Sequence, residues 1–258
     1  MRFTPGVLTC SDHYPTTKRL SLFRYLQVDL LPPINLKDQK LLTGMLAQAE
    51  DLARQVAKNS ANDASFLRSQ DRLVRNALAG LLSECAWRFG INGLTKKETL
   101  MSTKFNHASD QIDLVSSENR TIEVRSSFPR KGIAFALCNP TYEFDVIGPY
   151  FNDYKPCEIS KDIYVRTLFP FDESELIERV KSKGIQMYLT GGATNEMFMN
   201  PEIFIEKSMT AFGNAGLNQS GPATTYKVIP FSRALDTFEV AEILGYRHRE
   251  AWSYFESP

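Results

Sequence analysis

The sequence predicts an α/β domain built on a mixed β-sheet, and three observations predict it. Two stretches of helical periodicity come first, between Leu36 and Phe89; short β-patterned runs follow Gly93; helix and strand patterns then alternate toward the carboxyl end. The chain has 258 residues, 43% hydrophobic and 23% charged, which is the composition of an ordinary folded protein. At this length roughly 70–75% of the unfolded surface is hidden on folding, so a core forms without staples. Thirty basic and thirty acidic residues cancel. That balance excludes a polybasic binder whose whole surface attracts phosphate, and confines any nucleic-acid site to a local patch.

Residues 1–35 carry Pro5, Pro15, Pro32 and Pro33 around an apolar piece, Leu20 to Leu31, that reads as a strand or an edge helix. From Leu36 the residues Leu42, Met45, Leu46, Ala49, Leu52, Ala53 and Val56 recur at helical spacing, with Lys37, Asp38, Gln48, Asp51 and Arg54 on the other face. Asn59 to Asp63 ends that helix, and a second runs from about Ser69 to Phe89 before Gly90. Two helices are therefore expected ahead of any sheet, dividing a single 1–258 domain into a helical extension, 1–68, and an α/β core, 69–258.

Strand candidates follow at Leu100 to Phe105, Gln111 to Val115, Thr121 to Ser127 and Ile133 to Leu137. Ile163 to Phe169 is a β-branched and aromatic run closed by Pro170. Acids at 172–175 then open a helix reaching about Lys183. Ile185 to Thr190 reads as a strand stopped by Gly191-Gly192; Thr225 to Phe231 is a last strand before a helix at Thr237 to Leu244. Cys10, Cys85, Cys138 and Cys157 are far apart and form no metal-binding spacing, which reads as free thiols in a reducing compartment. No long apolar span and no apolar leader after Met1 are present, so the expectation is a cytoplasmic protein away from membranes.

The segment 109–125 is the most informative. Two short strands flank a polar turn, with Ile112, Leu114, Ile122 and Val124 as the apolar side and Asp113, Glu123 and Arg125 on the other. A three-residue loop, Ser117-Glu118-Asn119 with Asn119 left-handed, sets Asp113 opposite Glu123; a two- or four-residue loop separates them. Two carboxylates held together repel, and a hard divalent cation such as magnesium or manganese relieves that repulsion. On the second helix, Leu73, Ala77, Gly80 and Leu81 share a face on which Glu84 also falls, and an acid there needs a partner. The ordinary alternatives are a solvated hairpin with Glu123 paired to Arg125 or Arg120, and Glu84 paired to Arg88.

This order, an acid on a helix followed by a strand aspartate and a hairpin partner carrying Glu-x-Arg, resembles the PD-(D/E)XK nuclease superfamily over roughly residues 70–135. Ile112 stands at the motif's proline position and Arg125 at its lysine position. The resemblance implies a restriction-endonuclease-like mixed sheet flanked by helices, and magnesium- or manganese-dependent hydrolysis of nucleic acid, with double-stranded DNA as the expected substrate, by a homodimer. Asp113, Glu123 and Glu84 are then the metal ligands. Arg125 orients water or clamps phosphate, because a guanidinium does not readily shed a proton.

Lys104 and Lys131 are candidates to supply the missing ammonium. Arg130 and Lys131 with Phe128, and Lys104, are candidate nucleic-acid contacts, and His107 lies close by in sequence. The alternative function is a nuclease-shaped protein that binds nucleic acid or a partner protein without cutting.

Overall fold

The computed structural model describes residues 1–11, 20–31, 35–55, 69–103, 113–139, 144–149, 159–209 and 224–247. The chain opens with strands β1 (Arg2–Ser11) and β2 (Leu20–Leu30), paired antiparallel from Arg2↔Asp29 to Ser11↔Leu20. Pro5 is tolerated because β1 is the outermost strand, where a missing N–H breaks no ladder. The Tyr25 ring occupies the space beside Gly6, 2.3 Å from where a Cβ would stand. Two strands thus precede the helices, and residues 1–68 are not a purely helical extension, because β2 is built into the main sheet beside β8.

Helices α1 (Leu36–Gln55) and α2 (Gln70–Thr95) follow. Ser69 caps α2 by accepting from the Arg72 N–H, and Lys96 closes it in the left-handed conformation. The helix does not stop at Gly90. That glycine is where α2 meets the sheet, with Leu189 Cδ1 3.0 Å from the position of a Cβ. Asp38, expected on the solvated face of α1, is buried and accepts from the Leu31 N–H at 3.2 Å.

Then come β3 (Leu100–Ser102), β4 (Leu114–Ser116), β5 (Thr121–Ser127), α3 (Gly132–Cys138), β6 (Val146–Ile147) and β7 (Ile163–Leu168). A short helix α4 (Leu176–Glu178) is flanked by a 3-10 turn at Glu173–Glu175 and a π turn at Arg179–Lys183. Strands β8 (Ile185–Thr194), β9 (Ile205–Met209) and β10 (Thr224–Ile229) and helix α5 (Thr237–Ile243) complete it. Seven strands form the main sheet in the order β1-β2-β8-β7-β5-β4-β3, and β6-β10-β9 form a second. Among these pairings β5–β7 is parallel and the rest are antiparallel. The class is mixed α/β, with helices on a mostly antiparallel sheet.

Three expectations change. Ile133 to Leu137 is part of helix α3 instead of a strand, entered through Gly132 at φ 81°. Gly191 and Gly192 do not stop β8. They let its backbone press against others, since Cβ atoms there would lie 2.1 Å from the Leu235 carbonyl oxygen and 2.0 Å from that of Tyr164, beside a shift in register against β7. Cys10 and Cys138 are not free thiols but a disulfide tying β1 to α3, while Cys85 is a free buried thiol.

One sheet face carries the larger core: Leu78, Leu82 and Trp87 of α2 pack on Ile122, Val124, Ile163 and Val165, with Phe238 and Val240 of α5. The opposite face carries a smaller cluster of Cys10, Phe23, Phe144, Val146, Tyr164, Leu168, Phe198 and Phe231. No helix among the described residues is long and apolar enough to cross a membrane.

Candidate functional site

The β4–β5 turn has the geometry that the loop count requires. Leu114 pairs with Ile122 and Val115 with Thr121, Asn119 is left-handed at φ 63°, and the loop residues are Ser117, Glu118 and Asn119. Ser116 pins the turn: its Oγ accepts from the N–H groups of Glu118 (3.2 Å) and Arg120 (3.0 Å). Leu114 is the last paired residue of β4, so Asp113 lies just beyond the ladder, beside β5. Past Leu114 the Val124 N–H is received by Asp113 Oδ2 at 2.7 Å, so a side chain takes the hydrogen bond a longer strand would have taken. Asp113 is buried at 6% exposure.

Glu84 approaches from α2, which packs across β5. Burial pushes its carboxyl up to about 8, the neighbouring Asp113 and Glu123 charges push the same way, and Arg88 opposes them. The helix acid, the strand acid and the hairpin acid therefore share one electrostatic neighbourhood. Glu123 is also paired within its strand, Arg125 Nε lying 3.4 Å from Glu123 Oε1, with both side chains about 15% exposed or less. Arg88 donates to Ser102 Oγ at 3.1 Å and stands over the Phe89 ring.

The basic candidates are dispersed. Arg130 is 78% exposed in its side chain and pairs with Asp172 at 2.7 Å. Lys131 lies over the Phe135 ring, 4.7 Å from its centroid, at the entry to α3. Lys104 and His107 lie outside the described residues. Sequence reading missed Arg166. It is the register partner of Arg125 on β7, is 5% exposed, donates from Nη2 to Ser127 Oγ at 2.6 Å and stacks over Phe144 at 4.7 Å. Its signal was an arginine inside the apolar run Ile163 to Phe169, where a cation demands partners.

All three acids offer hard oxygen donors, which suit magnesium or manganese better than a soft metal. Among the described residues no three acids already stand at metal-ligand spacing. Cys85, beside Glu84, is buried, and that burial pushes its thiol up to about 11.

No family model matches the chain, and no solved structure matches it. An uncharacterized protein of the archaeon Methanocaldococcus jannaschii is 29% identical to it over 145 residues, 51% of each chain. The chain thus spans about half the length of the curated relative it matches.

Proposed function

We propose that this protein is a magnesium- or manganese-dependent nuclease of the PD-(D/E)XK type with a restriction-endonuclease-like core, acting on duplex DNA. The observation that carries this reading is the electrostatic coupling of three acids from a helix and a hairpin: beyond burial, the charges of Asp113 and Glu123 push the Glu84 carboxyl up. Like charges gathered together are costly unless a cation joins them. Asp113 and Glu123 are the primary ligands and Glu84 the third. An ion held there would supply an activated water and neutralise phosphate charge. Asp113 is aimed by the Val124 N–H. Arg125 holds a non-bridging phosphate oxygen, a task for which a fixed guanidinium fork suits better than proton transfer. Arg130 and Lys131, beyond the end of β5, contact flanking phosphates. Cutting both strands with one site per chain calls for two copies related by a two-fold axis.

A second reading has its own observation: Arg125 already neutralises Glu123, as it would in a nuclease-shaped protein that binds without cutting. Plasmid cleavage in manganese, with parallel calorimetric titration of the metal, separates the two. The nuclease reading expects metal binding that weakens in Asp113→Asn, and cleavage that drops at least about a hundredfold in Asp113→Ala and Glu123→Ala with melting temperature retained. Undiminished cutting by either alanine variant ends it. DNA binding with no metal uptake at millimolar concentration favours the binding protein.

A further inference from the structure

The Cys10–Cys138 disulfide joins two partners of unequal firmness. Cys10 is 1% exposed and belongs to β1, which is laddered to β2 over ten residue pairs. Cys138 is the half-buried last residue of α3. That helix has seven residues, too few to persist in water without tertiary support. Of its side chains Ala136 and Leu137 are buried, and no side-chain hydrogen bond caps its start at Lys131. Upstream the chain is anchored again at Phe128, stacked on Phe169 and edge-on to Phe171. Between these two anchors lie Arg130, Lys131 and α3. Lys131 stands over the ring of Phe135, one helical turn on, so its placement depends on α3 being wound.

We propose that this disulfide is a redox latch on the nucleic-acid contact: closed, it keeps α3 wound and Lys131 in place; opened by a dithiol reductant, it lets α3 unwind and weakens the binding of duplex DNA. The latch rests on the nuclease reading for what Lys131 touches, and adds a regulation to that surface. One thiolate of the dithiol attacks Sγ of Cys138, the more accessible end. The S–S bond breaks, its electron pair leaves on Cys10 Sγ, and that sulfur takes a proton. The second thiol of the reductant gives up its proton and attacks the mixed disulfide, closing the reductant's own disulfide and releasing Cys138, which is protonated to a thiol. Two electrons thus pass from the dithiol to the protein. Opening acts on α3 and not on β1, because ten ladder pairs hold the strand whereas two buried side chains hold the helix. Cys85, buried on α2, stays a thiol throughout.

Hydrogen exchange read by mass spectrometry tests the first step on the oxidised chain, the same chain in millimolar dithiothreitol, and Cys138→Ser. Cys157→Ser is carried in all three so that the thiol count belongs to the pair. Free thiols titrated in denaturant should rise by two on reduction. Amides of α3 should exchange at least about tenfold faster once the bond is open, while those of α2 stay protected for minutes or longer. Cys10→Ala opens the same bond and serves if Cys138→Ser fails to fold. Fluorescence anisotropy on a labelled duplex, in metal chelator, tests the second step. Reduction should weaken binding about fivefold and lower the salt slope by about one. Lys131→Ala should lose as much in the oxidised state and nothing further on reduction. A bond that dithiothreitol opens only in denaturant, α3 amides that exchange alike in both states, or DNA affinity indifferent to reduction overturns the latch and leaves the nuclease reading in place. An equal further loss on reducing Lys131→Ala overturns it too. Absence of DNA binding in either state sinks the nuclease reading, while release of α3 on reduction still stands by its exchange rates.

Discussion

Successive side chains of β5 occupy two different media. Ile122 and Val124 enter a dry layer with Leu78, Leu82 and Trp87, whereas Glu123 and Arg125, one residue away in each case, lie in a half-buried charged layer with Arg166 and Ser127 next to them. The first layer is filled by apolar volume, which is non-directional and tolerates no water. The second is held by pairing: an ion pair, an arginine stacked on an aromatic ring, and a disulfide between its outermost strand and its helix. One strand can therefore specify the fold with one set of residues and leave the other set available for chemistry.

The largest test of that division is Trp87→Ala against Glu123→Ala in urea unfolding. Trp87 is fully buried and its Nε1 finds no hydrogen-bond partner among the described residues, so its contribution is apolar burial, and its loss should cost about 3–5 kcal/mol. Glu123→Ala should cost no more than about 1 kcal/mol, in keeping with a partly exposed ion pair. Equal losses would mean that the charged layer carries the fold as well.

Next in size is the covalent tie. Cys10 and Cys138 close a loop with a sequence separation of 128 on the face with the smaller core. Reduction, or Cys138→Ser, should lower stability by about 2–4 kcal/mol, read as a drop in melting temperature. The buried Cys85 thiol on the other face should stay silent to a thiol reagent in the native protein and react after unfolding. An unchanged melting temperature on reduction would place the whole stability of the molecule in the helical face.

The same contrast explains what was legible in the sequence. The β4–β5 turn depends on contacts within a few residues, so alternation, loop length and an asparagine able to turn left-handed suffice to set the loop and the pairing of Leu114 with Ile122. The helix acid followed from periodicity alone. What escaped depends on partners distant in the chain. β1 carries Pro5 and Gly6 and becomes a strand by pairing with β2 and by the cover of Tyr25. Ile133 to Leu137 has strand-like composition, yet forms a helix docked on β1 and tied to it by sulfur. Gly191-Gly192 looks like a stop because the backbones it admits, at Leu235 and Tyr164, are invisible locally. Arg166 is masked by the apolar run around it.

The smallest expected effect discriminates most finely, because it asks whether the two layers meet at Glu84. The folded carboxyl titrates at about 8 against an ordinary value of 4.5, so between those limits the folded protein holds a proton that the unfolded chain has released. Stability from this group is then fully present below pH 4.5, falls as pH rises toward 8, and levels off above it, the reverse of an acid stabilised by a salt bridge. Glu84→Gln keeps the shape and removes the proton. Its stability relative to wild type should rise across that window by on the order of 1–2 kcal/mol, with water reaching the carboxyl limiting the effect. Melting temperatures of both proteins at pH 5, 7 and 9 in chelator give the difference, and manganese should restore wild-type stability at pH 9 without helping the glutamine form. Parallel pH profiles for the two proteins would show that Glu84 does not feel Asp113 and Glu123, and the acid cluster would lose its third member.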